Sequence, residues 1–163
     1  MLNVGTYVIR GNYGVCRIED VVRLDENKDR MYYLLVPAEG GNSKFYLPVD
    51  QARVKVRCVL SREEAWDLIH RLEGIKELPV SNDKLREDQY AEAVGSGSPE
   101  TLVSLAKYLH GRKRERAKQG KDMISLDRRY LQLTKHLLNS ELSFVTGEHP
   151  DTIEDMLLRA MQA

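Results

Sequence analysis

The sequence predicts an α+β protein with its two kinds of structure segregated: a small β-barrel module over residues 1–60, then an all-α module over residues 61–163. Three observations carry this. Short runs of β-branched and aromatic residues, Val4-Gly5-Thr6-Tyr7-Val8-Ile9 and Phe45-Tyr46-Leu47-Pro48-Val49 among them, alternate with Gly and Asn turn signals in the first sixty residues. From Ser61 onward every segment repeats its apolar residues at helical spacing. Helix start and stop signals punctuate that second half.

Strands are expected over residues 7–10, 14–24, 31–37 and 44–48, with a further one over 52–59. The second is long enough to bend, as barrel strands do. Asp25-Glu26-Asn27-Lys28-Asp29 and Gly40-Gly41-Asn42-Ser43 read as polar hairpin loops. Pro48 ends a strand or sits at an edge, because it has no N–H for the ladder. Five short strands in so few residues predict a small twisted barrel of Tudor-like or SH3-like type.

In the second half, Ser61-Arg62-Glu63-Glu64 is a capping box, and Ala65, Leu68, Ile69 and Leu72 share a face of the helix it starts, which stops at Gly74. A second helix runs from Asn82 or Asp83 to about Val94, closed by Gly95-Ser96-Gly97. Ser98-Pro99-Glu100 opens a third, with Ser as cap, Pro at the first helical position and an acid in the first turn. Its apolar face is Leu102, Leu105, Ala106 and Leu109, and its tail is basic up to Gly120. Ser125 is the expected cap of a fourth helix with the stripe Leu126, Tyr130, Leu133, Leu137, Leu138 and Leu142. Asp151-Thr152-Ile153-Glu154 reads as a capping box for a last helix carrying Ile153, Leu157 and Met161.

Composition narrows function mainly by exclusion. Twenty-five basic and 25 acidic residues cancel, so contact with nucleic acid must come from a local patch. No apolar run approaches the length that spans a bilayer, and the N-terminus has no leader pattern; a cytoplasmic protein without membrane contact is expected. Cys16 and Cys58 are expected as buried small apolar residues rather than a disulfide or metal pair. His70, His110, His136 and His149 are scattered, with no ligand at metal spacing. Gly11-Asn12-Tyr13-Gly14 is a turn rather than a phosphate loop. Ser and Cys lack a neighbouring base, so neither an enzyme nor a cofactor is expected.

The placed residues resemble a known family. Val4-Gly5-x-x-Val8, Gly14-Val15, Tyr32-Tyr33-Leu34, Leu47-Pro48-Val49 and the helix after Ser61 are similar to the CarD family of bacterial transcription regulators. The similarity continues through Arg86 and Tyr90, Ser96-Gly97, Leu109-x-x-Arg112, Asp127-x-x-Tyr130, Leu137-Leu138 and Glu141-Leu142. The resemblance implies a non-enzymatic regulator. Its Tudor-like module would dock on the RNA polymerase β subunit, and its helical domain would contact promoter DNA weakly and without sequence preference, modulating open-complex stability.

Two departures from the family pattern stand out. Characterised members wedge a tryptophan into the minor groove from the early C-terminal domain; residues 78–90 here contain none. The single tryptophan, Trp66, lies beside the apolar face of the helix after Ser61 and is expected at or near the junction of the two modules. Some members also place an arginine just before the strand-ending apolar-Pro pair, where this chain has Tyr46.

Candidate polymerase-binding residues are Met31, Tyr33, Phe45 and Tyr46, which can line an edge strand open to β-augmentation although alternation turns about half of them to the core, with Arg23, before the polar hairpin loop, as a weaker candidate for a charged contact. Candidate DNA-binding residues are Arg86, Lys107, Arg112, Lys113, Arg114, Arg116, Lys118, Arg128 and Arg129. On a helix Lys107, Arg114 and Lys118 share a face, and Arg112 and Arg116 are one turn apart. Cations at a helix C-terminus also complement its dipole, so the run has a bland reading as a solvated helix end. Arg128 and Arg129 oppose the dipole of the fourth helix, which calls for a partner phosphate or a carboxylate of the bundle. Alternatives to a DNA-contacting regulator are a polymerase- or protein-binding adaptor that leaves DNA alone, and a Tudor-like or SH3-like RNA-binding module. A monomer is the simplest expectation.

Overall fold

The computed structural model describes residues 1–25 and 29–162. The chain divides into two compact units, Met1–Val59 and Leu60–Ala163. The expected hairpin loop at 25–29 includes residues 26–28, which lie outside the described residues.

The first unit is a curled antiparallel sheet of five strands, a half-barrel of Tudor-like type. Its strands are β1 (Tyr7–Ile9), β2 (Val15–Val22), β3 (Tyr32–Pro37), β4 (Phe45–Pro48) and β5 (Arg57–Cys58), in the order β4-β3-β2-β1-β5. Val8, Cys16, Ile18, Tyr33, Leu35, Leu47 and Ala52 form the buried core on one face. The register of β2 on β3 shifts between Ile18 and Asp20. Without that bulge, the two-residue period that buries Cys16 and Ile18 would carry Asp20 into the core. With it, Asp20 opposes Leu34 on the outer face and Val21 returns to the core opposite Tyr33.

Two expectations for this unit need correction. Residues 52–59 are not one strand: after a 3-10 turn at Val49–Gln51 they form the helical turn α1 (Ala52–Lys55), and only Arg57 and Cys58 pair, with Ile9 and Val8 of β1. The helical turn folds Ala52 onto the sheet core and leaves Val54 in solvent, so burial of one small residue outweighs the β propensity of the valines. Cys16 is fully buried, and that burial pushes its thiol pKa up; Cys58, on a two-residue edge strand, is exposed.

The second unit holds α2 (Arg62–Arg71), α3 (Arg86–Gly95), α4 (Pro99–Lys118), α5 (Ser125–Thr146) and α6 (Pro150–Gln162), whose apolar faces meet in one core. Ser61 and Glu64 form the reciprocal capping box, and Ser98 Oγ accepts from Thr101 N with Pro99 at the helix start. A left-handed Gly147 closes α5. Among the described residues no helix is long and apolar enough to cross a membrane.

The fourth helix departs from its expected stripe. Leu126, Tyr130 and Leu133 are only partly buried, while Asp127, Leu131, Thr134, Leu137, Leu138, Glu141, Leu142 and Thr146 form the sealed face. Polar residues can occupy that face because each finds a partner: Asp127 receives Tyr90 and Arg112, Thr134 and Thr146 donate to the Tyr130 and Leu142 carbonyls, and Glu141 accepts from Leu60 N. Ser125 is the first helical residue and caps nothing; Ile124 holds the N-cap position. The last helix likewise starts before Asp151, whose N–H donates to His149 Nδ1, so the expected capping box there does not form.

Candidate functional site

Two strands of the β unit stand at sheet edges, β5 with two residues and β4 with four, and β4 offers the longer unpaired edge. It pairs with β3 on one side only, matching Tyr32 with Pro48, Tyr33 with Leu47, Leu34 with Tyr46 and Leu35 with Phe45. Val49 N donates to Met31 O at 3.0 Å, which extends the ladder by one hydrogen-bonded pair. Antiparallel alternation then makes Tyr33–Leu47 and Leu35–Phe45 the bonded pairs. The N–H and C=O of Tyr46 point away from the sheet, as does the Pro48 carbonyl. Proline thus stands where its missing N–H removes no ladder bond.

Side chains alternate in the same way. Phe45 and Leu47 face the core, whereas Tyr46 is 42% exposed on the outer face beside Leu34. That outer face also carries a groove of about 500 Å³ lined by Tyr7, Arg17, Leu34, Val36 and Lys44. Of the residues expected at an edge, Tyr46 is the one that projects outward from β4. Tyr33 does not: it is 1% exposed at the centre of the core, and its hydroxyl accepts from Leu2 N. Met31 lies one residue before β3, and Arg23 Nε donates to its sulfur at 3.2 Å, which holds these two together beyond the far end of β4.

Phe45 belongs to a cluster that the sequence pattern did not reveal. The turn between β1 and β2, a 3-10 turn at Gly11–Tyr13, needs Gly11 and Gly14 at positive φ. It lays the Tyr13 ring on Phe45, centroids 4.1 Å apart, and the Arg10 guanidinium lies 5.4 Å and 5.8 Å from the two centroids. Strand periodicity could not bring Arg10 to Phe45. The only signal was an aromatic residue inside a glycine-flanked turn.

On the helical unit, most candidate cations already have partners. Arg112 Nε donates to Oδ2 of the buried Asp127 at 2.6 Å, and Tyr90 OH donates to Oδ1 at 2.9 Å. The Tyr90 hydroxyl is pushed far above its ordinary pKa, first by burial and then by that carboxylate. Lys107 Nζ donates to the carbonyls of Glu73 and Ile75, closing the turn after α2, and burial lowers its pKa. Arg86 is largely buried; it pairs with Asp83, and its Nε has no acceptor among the described residues. Arg116 donates to the Asp122 carbonyl, Lys118 pairs with Glu115, and Arg128 donates to the Met123 carbonyl at 3.4 Å. Arg129 pairs with Glu87 and lies over the Tyr130 ring, so a carboxylate of the bundle answers its opposition to the helix dipole.

Lys113 and Arg114 are exposed, without an ion-pair partner among the described residues. Lys113 joins Lys121, Arg128 and Lys135, the last paired with Glu154 at 3.6 Å, around a groove of about 350 Å³ between the end of α4 and the start of α5 that Asp122 also lines. Lys121 and Lys135 lie outside the basic run and come to it only through the turn after α4 and a later turn of α5. The positive field there is visible at His110, whose pKa is lowered by burial and then by Arg114, Lys113 and Lys135. Trp66 on α2 is half-buried, its ring 6.1 Å from His70.

No curated protein matches this chain. Residues 2–60, nearly the whole β unit, match the family model described as the CarD-like/TRCF RID domain. Domains of that family are non-enzymatic interaction modules, and the match points to a transcription-related protein that interacts with RNA polymerase. The N-terminal unit is thus similar to the CarD-like/TRCF RID domain, and the similarity covers the part of the chain that carries the open β4 edge.

Proposed function

We propose that this protein is a transcription regulator whose β4 edge pairs with a strand of the RNA polymerase β subunit, leaving the helical unit to contact promoter DNA. The unpaired edge of β4, in a unit that matches the RID model, is the observation that carries this reading. An incoming strand finds the Tyr46 N–H and C=O for backbone pairing, and the exposed Tyr46 ring for apolar contact. In the helical unit the groove of Lys113, Lys121, Arg128 and Lys135, with exposed Arg114 nearby, suits phosphate contacts that give affinity without reading sequence. Tethering to polymerase raises the effective DNA concentration, so each contact can be weak. Open-complex stability then changes by the difference in affinity for opened and closed promoter; each tenfold difference is about 1.4 kcal/mol. The protein works in this scheme as a cytoplasmic monomer.

A second reading, an adaptor that leaves DNA alone, draws on the internal use of Arg86, Lys107 and Arg112, which takes three cations out of the candidate patch. The deciding experiment is binding of the full chain to the isolated N-terminal lobe of the β subunit, beside a Tyr46→Glu variant shown to be folded. Micromolar binding lost in the variant supports the docking edge, and absence of binding by the wild type overturns it. Duplex-DNA affinity that falls steeply with salt separates the regulator from the adaptor.

A further inference from the structure

Arg10 combines two features in the β unit: it stacks on two aromatic rings, and it has no carboxylate partner among the described residues, whereas Arg17 pairs with Glu19 and Arg30 with Asp50. It is nevertheless held in place. Tyr13 N donates to the Arg10 carbonyl at 2.8 Å and Arg10 N donates to Gly14 O at 3.2 Å, which closes the turn around it. Its guanidinium lies over Tyr13 and Phe45. No carboxylate among the described residues takes its N–H groups, and a guanidinium can offer two of them as parallel bonds to an anion.

The position of this cation matters as much as its freedom. Phe45 is the first residue of the edge strand, and its side chain faces the core side of the sheet. A strand added to β4 continues the pleat, so its residue opposite Phe45 projects on the same side, toward Arg10 and Tyr13. Tyr13 is 52% exposed, which keeps that approach open. The residue opposite Tyr46 projects on the other side, beside the exposed Tyr46 ring. The two sides of an added strand therefore meet different chemistry, a cation over aromatic rings on one and the exposed Tyr46 ring on the other.

We propose that Arg10 is a carboxylate receptor at the end of the β4 edge, and that the strand docking there carries an aspartate or glutamate opposite Phe45 and an apolar residue opposite Tyr46. This rests on the reading of β4 as the polymerase-docking edge. The anion is a side-chain carboxylate rather than a nucleic-acid phosphate because the receptor adjoins backbone groups that only a polypeptide strand can pair.

The test titrates the full chain with the isolated N-terminal lobe of the β subunit at two salt concentrations. Wild type, Arg10→Gln, Arg10→Lys and Tyr46→Glu are compared, each checked for folding by circular dichroism. Arg10→Gln weakens binding roughly tenfold and flattens its salt dependence. Arg10→Lys recovers only part of the loss, since an ammonium lacks the planar fork. Exchanging the acids of the lobe's pairing strand singly for their amides gives one position whose loss is not additive with Arg10→Gln. Those lobe-side exchanges carry the test if Arg10→Gln proves unstable, because they leave this chain intact. Wild-type affinity in Arg10→Gln, beside loss in Tyr46→Glu, overturns the carboxylate receptor and leaves the docking edge standing. A defect of Arg10→Gln confined to duplex DNA also overturns it, with phosphate as the anion. Failure of the wild type to bind the lobe overturns both readings.

Discussion

Arg112 and Asp127 form an ion pair across 2.6 Å in which the carboxylate is sealed from solvent and the guanidinium remains a quarter exposed. Tyr90 donates to the second carboxylate oxygen from a side chain that is itself buried. One charge-assisted network therefore ties α3, α4 and α5 together, with Asp127 as its acceptor. Removing Arg112 leaves an uncompensated buried carboxylate, so Arg112→Leu is expected to destabilise the helical unit by about 3–5 kcal/mol. Tyr90→Phe removes one bond to that carboxylate and is expected to cost about 1–3 kcal/mol. Urea unfolding followed by far-ultraviolet circular dichroism measures both. A shift smaller for Arg112→Leu than for Tyr90→Phe would contradict the network as described.

The field around His110 gives a pH dependence of definite sign. Burial, Arg114, Lys113 and Lys135 all hold its pKa below the ordinary 6.5. The unfolded chain therefore binds this proton more readily than the native one. Stability is fully present above about pH 6.5 and is lost as pH falls through that value toward the lower native pKa. His110→Gln is expected to flatten melting temperature against pH in this window. An unchanged slope would show that His110 does not report the field of the basic groove.

Free and committed cations should also separate in DNA binding. Lys113→Gln with Arg114→Gln removes two exposed charges and, if both meet phosphates, lowers the slope of log affinity against log salt by roughly 1.8. Lys107→Met removes a charge already bonded to the Glu73 and Ile75 carbonyls. Its expected signature is a stability loss of about 1–3 kcal/mol with the salt slope unchanged. Equal slopes for all variants would place the DNA contacts elsewhere or favour the adaptor.

What was legible in the sequence follows the range of the forces involved. Ser61 with Glu64, and Ser98 with Pro99, are contacts within one helical turn, and both caps form where the sequence placed them. The first four strands fall within two residues of the alternation that marked them. Asp127 was illegible as a core residue because Arg112 and Tyr90, 15 and 37 residues away, make its burial possible. Arg10 meets Phe45 only through the curl of the sheet and the turn at Gly11–Tyr13. Lys107 and Arg112 read as surface charges because their side chains carry no sign of the carbonyls and carboxylate that bind them. Ser125 had the right chemistry for a cap but stands one residue inside the helix, and the sequence has no device to separate those positions.

The strand that carries the candidate docking surface also separates stability from binding one residue at a time. Leu47 opposes Tyr33 in the core and is 1% exposed, whereas Tyr46 opposes Leu34 on the outer face. Leu47→Ala opens a cavity and is expected to cost about 2–5 kcal/mol. Tyr46→Ala removes an exposed ring, with an expected change of at most about 0.5 kcal/mol. Binding should reverse the order: at temperatures where both are folded, Tyr46→Ala loses affinity for the β lobe and Leu47→Ala keeps it. The backbone groups at Tyr46 survive both substitutions, so some binding by Tyr46→Ala is expected, and its residual affinity reads what the strand edge contributes alone. Thermal melts and lobe titrations of the two variants give the comparison. A stable Leu47→Ala protein would contradict the core face assigned to β4, and full affinity in Tyr46→Ala would shift the side-chain contribution to the Arg10 side of the strand.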